Sequence, residues 1–343
     1  MIINWINGIN VEYLLLNAII LFSTLLVGFC TMYFIKNEKQ FKTFIYYLIG
    51  FMSISAFVAI MQFIGVDFFW RLRELLGIDP NIEPGILERT RVPGLALYSI
   101  PLGYQLASVV PFIFGILNIK KEKRPFKFYL LVTFVICLLA LISIKGRSAI
   151  LAGIIGMIVI VFLSFTKRKL IALIFLLIIL VLTFYIFHSK FAIYRFTFKD
   201  ISTPLRISAF IISGKIFINN PIGIGINWTE YYYQYSSEFK ELSYIFAEKF
   251  TPYQTSELQL YLENHQMSPH NHFINILLYY GIFGLLLLIL FYKYIFKGLM
   301  YVYRNEKSSK FIFATVTGLI GAFIAYVVND AKKYDQNPWL WVL

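Results

Sequence analysis

The chain has 343 residues, of which 59% are hydrophobic and only 14% charged, with a formal net charge of +13. With a mean hydropathy of +0.71 and apolar runs long enough to cross a bilayer, this composition excludes an ordinary soluble domain and predicts an all-α, polytopic membrane protein. The basic surplus does not point to nucleic acid, because it lies in short connectors beside helices and not in a basic domain.

In chain order, spans are predicted at 13–35, 44–66, 97–118, 128–144, 149–166, 170–188, 272–293 and 311–329. The tail Pro338 to Leu343 reads as a short ninth span or an interfacial anchor. The N-terminus lacks a basic n-region and a small-residue cleavage site, so the first span is expected to be retained. Cys30 and Cys137 fall inside spans and read as packing residues, with no disulfide framework or metal site implied. Residues 1–343 are read as one integral membrane domain, with 189–270 as its large external loop.

Charge assigns the sides. The connectors at 36–42, 120–127, 167–169 and 293–310 hold sixteen basic residues against the acids Glu38, Glu122 and Glu306. The remaining loops balance, so by the positive-inside rule the first set is cytoplasmic and both termini face outward. Every long polar connection is then external. The cytoplasmic loops carry no glycine-rich phosphate loop, which argues against a soluble nucleotide donor.

The first external loop opens with F-F-W-R-L-R-E-L-L, Phe68 to Leu76, a pattern suited to lying on the membrane surface, and ends with R-T-R-V-P-G-L, Arg89 to Leu95. In the large loop, apolar spacing from Leu205 to Phe217 fits a helix that Asn219, Asn220 and Pro221 end. A stretch rich in tyrosine and glutamate follows Trp228, and a second amphipathic helix is expected around Ser256 to Asn264. With no internal repeat or low-complexity linker, the loop reads as an ordered, helical cap.

Chemistry concentrates at the external boundary. His270 and Asn271 sit where the large loop meets an apolar helix, so the imidazole keeps access to protons and substrate while the helix behind holds it. Arg147 lies in S-I-K-G-R-S-A, a turn between two spans; a guanidinium there costs free energy unless an anion meets it. Ser148 can cap the following helix, whose N-terminus also favours anions. Arg91 and Arg206 each precede a proline- and glycine-marked turn, Pro93-Gly94 and Pro221 to Gly225, and together with Arg147 they read as a shared phosphate cradle. Arg89 and Lys215 are further candidates. His188, His265, His270 and His272 all map to this boundary, but the His270 and His272 spacing is poor for a metal pair on a helix. Tyr231, Tyr232, Tyr233 and Tyr235, with Trp228, read either as a sugar-binding surface or as an aromatic membrane belt.

Three of these stretches resemble the bacterial O-antigen ligase and O-antigen or capsule polymerase family. They are G-R-S-A at Gly146 to Ala149, the segment from Arg206 to N-P-I-G-I-G at Asn220 to Gly225, and His270-Asn271 followed at fixed spacing by Gly281 and Gly284. The R-V-P-G-L around Arg91 is similar to a fourth, looser pattern. The resemblance implies transfer of a glycan from an undecaprenyl diphosphate carrier to an acceptor hydroxyl, without metal, nucleotide or other cofactor. It also implies Arg147 and Arg206 as diphosphate contacts and His270 as base or acceptor-positioning residue; Arg91, Asn271, Ser148 and Lys215 are the candidates expected to bind substrate. A polymerase on the outer face of the bacterial cytoplasmic membrane is the first expectation. A ligase acting on a lipid A core or protein acceptor is the second, and a transporter of lipid-linked sugars the third. Membrane lipids and other polysaccharide-assembly proteins are the expected partners. Family members commonly have more spans than the eight predicted here.

Overall fold

Helices begin and end where local chemistry stops the backbone. The computed structural model describes residues 33–76, 92–96, 99–117, 124–144, 146–163, 202–225, 234–247, 255–256, 258–259, 262, 272–305 and 309–328. The spans at 13–35 and 170–188, the tail from Pro338 and the tyrosine run at Tyr231 to Tyr233 fall wholly or largely outside these residues. Among the described residues the elements are all helices: α1 (Glu38–Ile64), α2 (Asp67–Leu75), α3 (Ser99–Ile116), α4 (Arg124–Ser143), α5 (Arg147–Leu163), α6 (Ser202–Asn219), α7 (Ser236–Phe246), α8 (His272–Asn305) and α9 (Lys310–Val328). Helices α1, α4, α8 and α9 contain stretches long and apolar enough to cross a membrane, and α3 and α5 are shorter and also apolar. The protein is therefore all-α, with the character of a multi-pass membrane protein.

Two compact units divide the chain. One comprises Ile20–Phe187 with Ile295–Leu343, the other Met1–Ile19 with His188–Tyr294.

In the first unit α1 starts at Asn37, whose side-chain oxygen accepts the Gln40 N–H at 2.9 Å, leaving one fewer orphan donor at the helix start. It stops at Gly65, in the left-handed region at φ 96°, whose N–H reaches back to the Met61 and Gln62 carbonyls. Helices α3, α5 and α9 pack so closely that only glycine fits at the crossings. A Cβ on Gly115 of α3 would lie 2.3 Å from the Gly318 Cα of α9, and one on Gly156 of α5 would lie 2.6 Å from the Gly321 carbonyl oxygen. Where lipid is as apolar as the side chains, such close backbone approach and the dispersion contacts it permits hold helices together. Gly318→Val is therefore expected to cost at least about 2 kcal/mol by overpacking, read as a lower thermal transition in detergent; an unchanged transition would show that the crossing tolerates a looser fit. Outside this core, Tyr47 and Phe51 of α1 and Phe128 and Leu131 of α4 are exposed, as expected of surfaces that hydrocarbon covers.

The second unit is built around a small apolar core. Ala209, Ile212 and Ile216 of α6 meet Phe239 of α7, Leu258, Leu262 and Leu278 of α8. The described residues between 255 and 262 are helical, in keeping with the second amphipathic helix expected in the large loop.

The span expected at 272–293 is not a straight helix. Gly281 interrupts α8 with φ 62° and ψ −158°, and the first limb folds back on the second. The Phe273 and Tyr292 rings stand 6.2 Å apart, whereas a straight helix would separate the two residues by about 28 Å.

A loop seated in a broken helix

A helix break leaves backbone groups without partners, and in an apolar setting each must be satisfied by another segment. Here the turn that ends α6 does so. The Ile224 N–H donates to the Leu278 carbonyl at 2.8 Å and the Gly225 N–H to the Tyr279 carbonyl at 3.1 Å, while the Ile282 N–H donates to the Pro221 carbonyl at 3.0 Å. The turn itself closes through Gly223 N–H to Asn220 O at 2.9 Å. N-P-I-G-I-G and the glycines after His270, read as separate motifs in the sequence, thus form one structure. Their glycines have distinct tasks. Gly281 adopts the bend, Gly223 at φ 95° lets its backbone approach Gly281, and Gly284 leaves room for the folded-back limb, since a Cβ there would meet the Tyr280 Cβ at 2.2 Å.

Arg206 lies on α6, upstream of this turn, and is exposed. Lys215, also exposed, forms an ion pair with Glu238 of α7; a lysine already held by a carboxylate is a weaker anion ligand than a free one. His270 and Asn271 precede α8 and lie outside the described residues. His272 opens the helix.

One residue passed over in the sequence is Asn275, in the first limb of α8. Its Oδ1 is buried and has no hydrogen-bond partner among the described residues. Leaving an acceptor so costs about 1–3 kcal/mol, so Asn275→Leu is expected to leave thermal stability equal or higher. A clear fall in the transition would mean that the oxygen has a partner. No sequence signal marks it, because an isolated asparagine in an apolar helix is also consistent with an outward-facing polar residue.

In the other unit, the R-V-P-G-L turn is docked on α1. Gln62 clasps Gly94 through both amide atoms: the Gly94 N–H donates to Oε1 at 2.9 Å and Nε2 donates to the Gly94 carbonyl at 3.2 Å. The Leu95 N–H donates to Ser55 Oγ at 3.2 Å. Arg73 of α2, which the sequence pattern assigns to a surface helix, is buried and donates to the Ala96 carbonyl at 3.2 Å. Its neighbour Trp70 is buried too, while Phe68 and Leu75 are exposed. Helix α2 thus turns Arg73 and Trp70 inward, Arg73 to hold the turn, and leaves Phe68 and Leu75 outward. Arg91, one residue before this turn, lies outside the described residues.

Arg147 is the first residue of α5. Ser148 is not the cap expected of it: the Gly146 carbonyl accepts the Ile150 N–H at 3.0 Å, so Gly146 occupies the capping position and Ser148 is an exposed residue of the first turn. A cation at this end opposes the helix dipole, and an anion bound there offsets both. Behind the turn, Ile144 and Ala149 pack on Gly103 of α3, where a Cβ would lie 3.4 Å from each.

Among the described residues no three His, Cys, Asp or Glu cluster as metal ligands do. The fold is that of a multi-pass helical membrane protein whose broken helix is gripped by a glycine turn. Residues 132–289, somewhat under half of the chain, match the family model described as O-antigen ligase, and this match supports the resemblance carried by the glycine, arginine and histidine motifs. The matched stretch contains Arg147, Arg206, His270 and the Gly281 break, and leaves Arg91 and Gln62 outside. No curated protein and no solved structure matches the chain.

Proposed function

We propose that the protein is a membrane glycosyltransferase that joins undecaprenyl-diphosphate-linked oligosaccharides on the outer face of the bacterial cytoplasmic membrane, as an O-antigen or capsular polysaccharide polymerase. In this reading the bond between the glycosyl carbon and the diphosphate breaks, the acceptor hydroxyl oxygen bonds to that carbon, and the lipid diphosphate leaves. Arg147 and Arg206 stabilise the charge that develops on the leaving diphosphate. His270 takes the hydroxyl proton or orients the acceptor, with Asn271, Ser148, Arg91 and Lys215 binding substrate. The donor chemistry requires neither metal nor nucleotide.

The observation that carries this reading is the match over residues 132–289, within which the turn following Arg206 and the helix following His270 are locked together by backbone hydrogen bonds. That lock supports a joint task for the two motifs. The description of the matching family favours a second reading, a ligase that passes the glycan to a lipid A core or a protein.

Purified protein in liposomes, given lipid-linked repeat units alone and then with lipid A core, separates these readings. A ladder of glycans from repeat units alone is expected. Transfer only on adding the core would support the ligase, and movement of lipid-linked sugar across the bilayer with no new glycosidic bond would overturn both in favour of a transporter.

A further inference from the structure

Helix α6 is apolar on both faces, although among the described residues only one of them packs on protein. Ala209, Ile212, Ser213 and Ile216 are buried against the core of the second unit. On the opposite side Ile207, Phe210 and Ile218 are exposed, the latter two to 66% and 75%. Between them Gly214 faces open space, with nothing within 4 Å of where a Cβ would stand. At about 100° per residue these positions form one stripe, and Arg206 and Lys215 fall on its two edges, about 180° apart. An apolar stripe bordered by cations on both sides is the pattern of a helix lying in the lipid–water interface, its side chains among acyl ends and its bases at the headgroups.

A second observation gives the same partner. The stripe continues past the end of α6 into Ile222, which is 64% exposed. Ile222 is pressed against the α8 break, where a Cβ on Gly281 would lie 2.2 Å from the Ile222 carbonyl carbon. Beside it on α8, Tyr280, Ile282, Phe283, Leu286 and Leu287 are exposed, within the helix that carries a membrane-crossing apolar stretch. The bare face of α6 thus adjoins exposed apolar residues of a helix whose length and composition suit a membrane span.

We propose that α6, expected from the sequence to belong to an ordered external cap, is seated in the membrane interface with Ile207, Phe210, Ile218 and Ile222 among phospholipid acyl chains. Arg206 and Lys215 lie at headgroup depth, Lys215 held there by Glu238. If the glycosyltransferase reading holds, Arg206 meets its diphosphate at the depth where a lipid carries it.

The test places nitroxide labels one at a time at positions 210, 218 and 240 of the full chain, with Cys30 and Cys137 replaced by alanine, in phosphatidylcholine–phosphatidylglycerol liposomes. Lys240, exposed on α7, is the aqueous control. The expected result is a collision ratio for oxygen over a water-soluble nickel chelate several-fold higher at 210 and 218 than at 240. Equal ratios would overturn the proposal by showing a face in water, and low collision with both reagents would overturn it by showing a face covered by protein. Oxygen access that arises only on adding polyprenyl diphosphate would assign the stripe to substrate, again overturning it. None of these readouts depends on glycan transfer, so the interfacial seat stands or falls separately from the enzymatic reading.

Discussion

Gly281→Ala is expected to be the most damaging single-methyl change in the second unit, although it removes no chemical group. The φ of 62° and ψ of −158° lie in a region essentially reserved for glycine, at a strain of about 1–3 kcal/mol for other residues. The added methyl also has nowhere to go: it would stand 2.2 Å from the Ile222 carbonyl carbon and 2.3 Å from the Pro221 oxygen. Relief requires moving the turn away, which breaks hydrogen bonds from Ile224, Gly225 and Ile282, each worth about 1 kcal/mol and more in surroundings without water. A loss of at least about 4 kcal/mol is expected from strain and broken bonds together, read as a collapse of the monodisperse detergent-solubilised fraction or of its thermal transition. Gly223→Ala acts on the same contact from the other side, its Cβ falling 2.5 Å from the Gly281 nitrogen, so the double variant should cost little more than either single one. Gly214→Ala is the control: this glycine is inside α6 with open space beside it, and the change should stabilise by up to about 1 kcal/mol. A Gly281→Ala protein as stable as the parent would refute the role given to the break.

The second large effect is on turnover. Arg147→Ala and Arg206→Ala are each expected to lower glycan transfer by at least about 100-fold with normal protein levels, as for loss of a charged donor to a leaving group. Arg147→Lys should recover little, because an ammonium cannot reproduce the planar fork that meets two phosphate oxygens. His270→Ala should lose about 100- to 10,000-fold if the imidazole accepts the proton. The pH profile separates the two roles left to it. With His270 as base, the rate falls on acidification as the imidazole protonates, and the residual rate of His270→Ala lacks that limb. With His270 only positioning the acceptor, His270→Gln retains much of the rate and the acid limb persists. Unchanged chain growth in all three alanine variants would remove these residues from the site.

The membrane character, the order of the helices and most of their limits were legible because they depend on runs of residues within one segment. The spans expected at 44–66, 97–118, 128–144, 149–166 and 311–329 correspond to α1, α3, α4, α5 and α9. The helix expected over Leu205 to Phe217 lies within α6, and the asparagines and proline after it do end it. The resemblance carried by the glycine motifs was legible as well, and the family match over 132–289 supports it.

What those glycines do was not legible. From Phe273 to Leu287 the apolar pattern runs on through Gly281 without a break, and glycine is common in membrane helices. Arg73 also misled, since a charge in an alternating surface pattern says nothing about a carbonyl at Ala96 waiting on another segment. Ser148 lost the capping position to Gly146 because caps are decided by where the preceding chain leaves its last extended residue, a matter of one residue's shift.

Apolar run length and loop charge were enough to read a multi-pass helical protein from the chain alone, because burial in lipid is a property each segment satisfies for itself. The folded-back α8, the seating of the α6 turn in its break and the inward Arg73 belong to the folded molecule. A broken helix is stable only where a distant segment supplies the missing hydrogen bonds, and no local pattern in either segment records that the other will be there.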